Sequence, residues 1–240
     1  PIALALEELG FTRYGNTPSL FAEPPVQKLD VKTYLPQSEV DPSEFKAAKY
    51  IMITGDKYLS PDSTNEIKAI TTPDNKNGEK IKVVFISQAG SEGIDFKFIR
   101  QVHILEPWYN MNRIEQIIGR GVRNCSHKDL PFDERNVEIF LHGTMLNNPT
   151  EAVDLYVYRL AELKAVQIGN VTRLLKEISV DCLLNISQNN FNEDILQQEV
   201  KQKLSNGLTI NYKVGNKPYS AICDYKESCQ YSCHPSKKDL

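Results

Sequence analysis

Residues 110–123 read NMNRIEQIIGRGVR. At about 100° per residue, with Gln116 set at zero, Arg120 falls near 40°, Arg123 near −20° and Arg113 near 60°. Met111, Ile114, Ile117, Ile118 and Val122 gather on the other side, between about 100° and 240°. The stretch therefore predicts a helix with one apolar face in a core and a second face presenting Gln116 and three guanidiniums. A charged stripe of this kind reads either as a solvated helix face or as a phosphate-facing surface. Three Arg and no Lys point to the second reading, because the planar guanidinium suits phosphate recognition and charge stabilisation in phosphoryl transfer. Gly119 and Gly121 beside the stripe let a large ligand approach the backbone.

Upstream, SQAGSEGIDF (87–96) directly follows an apolar run. Gly90 and Gly93 permit tight turns and close approach of a ligand. Asp95 is placed to accept from a sugar hydroxyl, and Ser87 to donate to a phosphate; alone, such a loop also reads as a plain turn. The runs KYIMITG (49–55), KVVFIS (82–87), 102–105 and 137–141 are apolar without alternation. Separated by helical stretches, they predict a parallel sheet covered by helices on both faces. Ligands then gather at the loops after the strand C-termini, Gly55–Ser60, Gln88–Phe96 and Glu106–Asn110.

Further out, Ile2, Leu4, Leu6 and Leu9 predict a helix stopped by Gly10. Asn16–Pro42 is a Pro-rich loop or insertion with one short strand at Leu20–Ala22. Ser63 to Glu66 is a capping-box pattern opening a helix that ends before Pro73. From Thr150 the pattern turns helical, with Val153, Val157, Leu160 and Leu163, then Val171, Leu174, Leu175, Ile178 and Leu183 at three- and four-residue steps. Residues 207–222 resemble a hairpin around Gly215-Asn216.

Composition is ordinary for a folded protein: 240 residues, 40% hydrophobic and 25% charged, which excludes collagen-like and wholly disordered chains. A formal charge of −3 excludes a pervasive polybasic surface but not a local basic groove. With mean hydropathy −0.41, no run approaches the ~18 apolar residues of a membrane span. No signal peptide precedes Glu7, and the start at Pro1 suggests a piece of a longer protein. Without a secretory signal, the five Cys predict a reducing, intracellular setting rather than a disulfide framework. Cys125 and Cys182 read as small buried hydrophobes. Cys223, Cys229 and Cys233, followed by His234, read either as a weak structural zinc site or as free thiols. His103 and His142 read as core or edge residues. Trp108 reads as a core or interface anchor, with base stacking as the other role.

Taken together, Ile81 to Phe96, VHILEPWYN (102–110) and QIIGRGVR (116–123) resemble motifs V and VI of superfamily 2 helicases. The closest resemblance is to the C-terminal RecA-like lobe of the helicases and transcription ATPases of large DNA viruses of the poxvirus, mimivirus and asfarvirus kind. SHKDLPFDERNVEIFLHGT (126–144) and YVYRLAELKAVQIGNVTRLLKEISVDCLLN (156–185) continue it. The resemblance implies a RecA-like domain over 1–148 with a Pro-rich insertion at about 13–46 and a helical extension over 149–190; beyond it, 191–240 is a segment of unassigned role with a Cys-rich end. It implies an ATP-dependent helicase or translocase in which Gln116, Arg120 and Arg123 face ATP, the two Arg as arginine fingers. Gly93 and Asp95 then approach the nucleotide, and Thr54, Gly55 and Ser87 contact the backbone of DNA or RNA. Mg²⁺ and a Walker A loop belong to a first RecA-like lobe of the same protein, and no Gly-Lys dipeptide occurs in this chain. The chain alone is then inactive. Other readings are a viral transcription initiation or termination ATPase without unwinding, and a non-catalytic scaffold binding polymerase or virion proteins. The expected setting is the host cytoplasm or the virion, with transcription machinery as a partner and no membrane.

Overall fold

The computed structural model describes residues 1–88, 93–147, 150–189, 193–215 and 217–236. Two compact units divide the chain, residues 1–99 with 119–131 and residues 100–118 with 132–240. Among the described residues no helix is long and apolar enough to cross a membrane.

In the first unit, helix α1 (Ile2–Glu8) leads through Gly10 into strand β1 (Thr12–Arg13). Gly10 has φ +102°, and a Cβ there would fall 2.8 Å from the Gln27 carbonyl oxygen, so conformation and space both demand glycine. Strands β2 (Lys49–Ile53) and β3 (Val83–Ile86) complete a parallel sheet of order β1-β2-β3, with Ile53 opposite Ile86. Helix α2 (Ser63–Thr71) links β2 to β3. The apolar run of β2 is legible because both its faces are buried. Ala48 and Tyr50 pack with Ala3, Phe11 and Val31, while Ile51 and Ile53 pack with Ile70, Ile81 and Phe96. Each Ile, Val and Phe side chain among them contributes about 1.5–3 kcal/mol on burial.

The insertion is ordered by buried carboxylates rather than by a strand. Residues 20–22 form no strand; the Leu20 N–H instead donates to Glu7 at 3.0 Å, alongside the Ser19 and Tyr50 hydroxyls at 2.6 and 2.7 Å. Burial raises the Glu7 pKa, but these bonds outweigh it and hold the group below its ordinary value. Asp30, buried, accepts from the backbone N–H groups of Lys32, Thr33 and Lys46 at 2.9, 2.9 and 3.0 Å and from the Thr33 hydroxyl at 3.1 Å. The Lys46 and Thr33 amides are the main reason its pKa lies far below the ordinary 3.8. A depressed carboxylate pKa gives stability that is present above the unfolded value and lost as pH falls through the folded one. Asp30→Asn should therefore cost about 2–4 kcal/mol at pH 7, since an amide nitrogen cannot accept these bonds. The gap from the parent chain should shrink below about pH 4. Urea unfolding at pH 7 and pH 3 measures both, and a gap independent of pH would overturn the assignment.

The capping box expected at α2 does not form. Asp62 is the N-cap, its carboxylate accepting from the Asn65 side chain at 2.7 Å, and Glu66 turns inward to 3% exposure. Burial raises the Glu66 pKa, partly countered by the charge of Arg13.

In the second unit, strands β4 (Gln101–Ile104) and β5 (Glu138–Leu141) pair in parallel. Each unit thus holds parallel strands, as expected of the fold class. The expectation of burial on both faces fails for β4, where Gln101 and His103 are exposed and Ile104 is buried, the alternation of a strand covered on one side. His103 stacks on Phe140, ring centroids 4.6 Å apart, and its Nδ1 lies 3.0 Å from His142 Nε2, so both are edge residues of this face. Helix α3 (Met111–Gly121) buries Ile114 at 1% exposure, but Val122 is 48% exposed because the helix ends one residue before it.

Helices α4 (Val153–Ile178), α5 (Val180–Asn189) and α6 (Glu193–Gln197) follow. The buried stripe of α4 is Val157, Ala161, Ala165, Gly169 and Arg173, at steps of four, while Val153, Leu163, Val171, Leu174 and Ile178 are exposed. The small residues carry the stripe because backbone comes close to it: a Cβ on Gly169 would fall 2.0 Å from the Asp224 carbonyl oxygen. The hairpin is β6 (Glu199–Lys203) with β7 (Thr209–Lys213), turning at Asn206-Gly207 and not at Gly215. Gly207 adopts φ +86° and Leu204 N–H donates to Leu208 O at 2.8 Å, the backbone that an Asn-Gly turn supplies. Asn216 lies outside the described residues.

Candidate functional site

Strands β2 and β3 end side by side, and the predicted backbone-contact residues follow directly from them. With Ile53 opposite Ile86, Thr54 neighbours Ser87, whose N–H donates to Ile53 O at 3.0 Å. The Thr54 N–H donates to Ser60 Oγ at 2.9 Å, and Ser60 Oγ donates to Met52 O at 2.6 Å. The Thr54 hydroxyl accepts from the Asp56 N–H at 3.2 Å. These bonds close the turn 54–60 and leave Gly55 exposed at its tip. Thr54, Gly55 and Ser87 thus share one edge of the first unit, with the Thr54 side chain engaged in shaping the turn.

Gly90 and its neighbours 89–92 lie outside the described residues. Gly93 has φ +74° with open space where a Cβ would be, so conformation rather than crowding selects glycine there. Two residues on, Asp95 is held in place by Phe96, buried at 3% in the cluster of Ile51, Ile53, Ile70 and Ile81. Its carboxylate meets Arg123 at 3.0 Å, with both side chains well exposed. Arg123 lies two residues beyond α3 rather than on it, and its Nε donates to Gly119 O at 3.2 Å, folding the side chain back along the helix end.

The segment after α3 is fastened to the segment after Asp95 by two residues that sequence reasoning missed. Ser126, buried, bonds the Arg123 carbonyl through its hydroxyl at 2.8 Å, and its own carbonyl accepts from Phe98 N–H at 3.3 Å. His127 places Nε2 2.7 Å from Ile99 O and Nδ1 2.7 Å from Ser126 Oγ. Ser126-His127, three residues after the second arginine, is the available signal. It registers Arg123 against Asp95.

On α3, Arg120 is half-buried in the last turn, one turn beyond the exposed Gln116. Arg113 does not join them. Its guanidinium stacks 4.2 Å from the centre of the Trp108 ring, a cation–π contact. Trp108 is 40% exposed, so it is no core anchor.

The zinc reading fails. Cys223 is bonded to Cys229, and Cys182 to Cys233 with Cα atoms 5.7 Å apart, so all three candidate ligands are disulfide sulfurs. Cys182 is buried but is no free thiol, and Cys125, expected buried, is exposed with a free one. Among the described residues no group of three or more His, Cys, Asp or Glu is arranged to hold a metal ion.

Residues 33–125 match the family described as Helicase conserved C-terminal domain. A protein of Acanthamoeba polyphaga mimivirus, provisionally named an ATP-dependent RNA helicase, is 41% identical over 117 residues, 46% of this chain and 14% of its own length. Nucleoside triphosphatase I of Heliothis armigera entomopoxvirus is 37% identical over 121 residues, 50% of this chain and 19% of its own. A termination factor NPH-I homolog of African swine fever virus is 39% identical over 102 residues, 42% of this chain and 14% of its own. The matches thus span less than a fifth of each relative. Residues 33–125 are thus similar to a helicase C-terminal domain, in a chain similar to proteins named as helicases, nucleoside triphosphatases and termination factors of large DNA viruses.

Proposed function

We propose that this chain supplies the second RecA-like lobe, residues 1–148, of an ATP-driven nucleic-acid helicase or translocase, followed by an extension over 149–190 and a tail over 191–240. The observation that carries the reading lies in the first unit, where Arg120 stands in the last turn of α3 and Arg123 follows beside Asp95. Guanidiniums are the donor set that suits a triphosphate. Arg123 and Asp95 are both exposed, so water screens the ion pair between them and little energy opposes an exchange of partners. ATP supplies the phosphoryl group whose transfer drives the cycle. Arg120 and Arg123 stabilise charge on its terminal oxygens, Gln116 adds a polar contact, and Gly93 and Asp95 approach the nucleotide. Mg²⁺ and the P-loop come from a first lobe outside these 240 residues, so the chain alone does not turn over ATP. Thr54, Gly55 and Ser87 grip the phosphates and sugars of DNA or RNA, contacts that carry no sequence information.

A second reading within the same chemistry is a viral transcription initiation or termination ATPase that acts without unwinding, beside the transcription machinery in host cytoplasm or virion; the names of two relatives, a nucleoside triphosphatase and a termination factor homolog, favour it. The test is ATP hydrolysis by the complete protein with and without nucleic acid, together with a strand-displacement assay. Stimulated hydrolysis that depends on Arg120 and Arg123 supports the lobe assignment, and displacement separates the two readings. Hydrolysis indifferent to both arginines overturns it.

A further inference from the structure

The tail is more than an appendage to α4. From Tyr219 to His234 it is fastened to the helices of the second unit and closed on itself. Cys233 is bonded to Cys182 of α5. The His234 N–H donates to Glu177 O at 2.7 Å. Arg173 donates to the Asp224 carboxylate and to the carbonyls of Cys223, Ser228 and Gln230, all between 2.8 and 3.0 Å. Gly169 admits the Asp224 carbonyl against the helix. The Cys223–Cys229 bond closes a short loop that holds Asp224, Tyr225 and Ser228. Within that loop Asp224 and Tyr225 both adopt φ +53°, a left-handed conformation that side chains of this size rarely take unless their surroundings impose it. The consequence lies at the far end of the brace. The Tyr225 hydroxyl donates to the Glu115 carboxylate on α3, one residue before Gln116. Burial raises the Glu115 pKa, as a carboxyl enclosed by this contact requires.

We propose that the disulfide-closed tail is a redox-held brace in which Tyr225 acts as a positioning residue, holding Glu115 and with it the α3 turn that carries Gln116. This rests on the reading of α3 as the nucleotide-facing helix. The switching chemistry is thiol–disulfide exchange with a small dithiol reductant. A thiolate of the reductant attacks Cys233 Sγ, half-buried, and expels the thiolate of the buried Cys182. The second reductant thiolate then displaces Cys233 from the mixed disulfide. The protein gains two electrons and two protons as two thiols, and the dithiol leaves as its disulfide. The same exchange opens Cys223–Cys229. An oxidised dithiol reverses both steps.

The test uses the complete protein, oxidised with oxidised glutathione or reduced with dithiothreitol. Two readouts are taken, nucleic-acid-stimulated ATPase and amide hydrogen exchange over residues 111–121. Reduction should lower kcat by about three- to tenfold with KM for ATP unchanged, and should speed exchange in α3. Tyr225→Phe, a variant that keeps the ring, should place the oxidised protein at the reduced level in both readouts and abolish the response to reductant. Cys223→Ser and Cys182→Ser should each remove part of the response. Glu115→Gln, which still accepts from the tyrosine, should restore most of the parent behaviour. Unchanged exchange and rate in Tyr225→Phe would sink the brace. If exchange responds while no ATPase is found, the brace stands and the lobe assignment falls.

Discussion

Arg120→Ala in the complete protein should lower nucleic-acid-stimulated kcat by about 10³-fold or more, with a far smaller change in KM for ATP. An arginine finger acts on charge that is greatest in the transition state, so its loss appears in kcat; about 10³-fold corresponds to roughly 4 kcal/mol of transition-state stabilisation. Arg123→Ala should fall in the same range. Neither change should unfold the protein, because Arg120 is only half-buried and Arg123 lies exposed beyond the helix. Lys at either position keeps the charge but loses the planar fork, so most of the defect should remain. Asp95→Asn provides an internal check. It releases Arg123 from its 3.0 Å partner and removes a negative charge from the site, so turnover should change by about tenfold or less. Melting curves alongside the kinetics separate lost chemistry from lost fold. Turnover within threefold of the parent for both arginine variants would refute the finger assignment.

How much of this site was legible depended on how local its determinants were. The α3 helix could be read because Met111, Ile114, Ile117 and Ile118 recur at helical spacing, and that periodicity fixes the face Gln116 and Arg120 share. The same wheel misplaced Arg123 and Val122, since it extrapolates past Gly121 where the helix stops. β2 was legible because KYIMI is apolar on both faces and both faces are buried. β4 was not, because the alternation of Gln101 and His103 with Val102 and Ile104 spans only four residues. The hairpin turn is ambiguous in sequence because Asn206-Gly207 and Gly215-Asn216 compete for it, and the positive φ of Gly207 decides between them. The Cys182–Cys233 bond and the contact of Tyr225 with Glu115 join residues 51 and 110 apart in sequence, and no periodicity carries that information.

Arg173 is the residue whose loss should cost the fold most. Among the exposed Leu and Val of α4 it looks like a solvated charge, yet it is 8% exposed and donates to four acceptors in the tail. Its ring contact with Tyr231, 5.2 Å from the guanidinium carbon, covers the remaining face. Arg173→Met keeps the apolar stem but strands Asp224, which is 3% exposed and retains only the Lys176 ammonium at 2.5 Å. Removing one partner of a buried ion pair leaves the other charge desolvated and, here, compensated by the lysine alone, which costs up to about 3–5 kcal/mol. The carbonyls of Cys223, Ser228 and Gln230 lose their donor at the same time. Arg173→Lys should recover little, because one ammonium cannot span acceptors that the guanidinium reaches from three nitrogens. Gly169→Ala should act in the same direction by a different route, pushing the Asp224 carbonyl off the helix. The Cys182–Cys233 bond still tethers the far end in each variant. The released segment should therefore become a protease-sensitive loop between about residues 217 and 231 rather than a free tail. Denaturant unfolding and limited proteolysis measure the two effects. A midpoint shift for Arg173→Met worth less than about 1 kcal/mol would mean that the disulfides, not the buried guanidinium, hold the tail to α4.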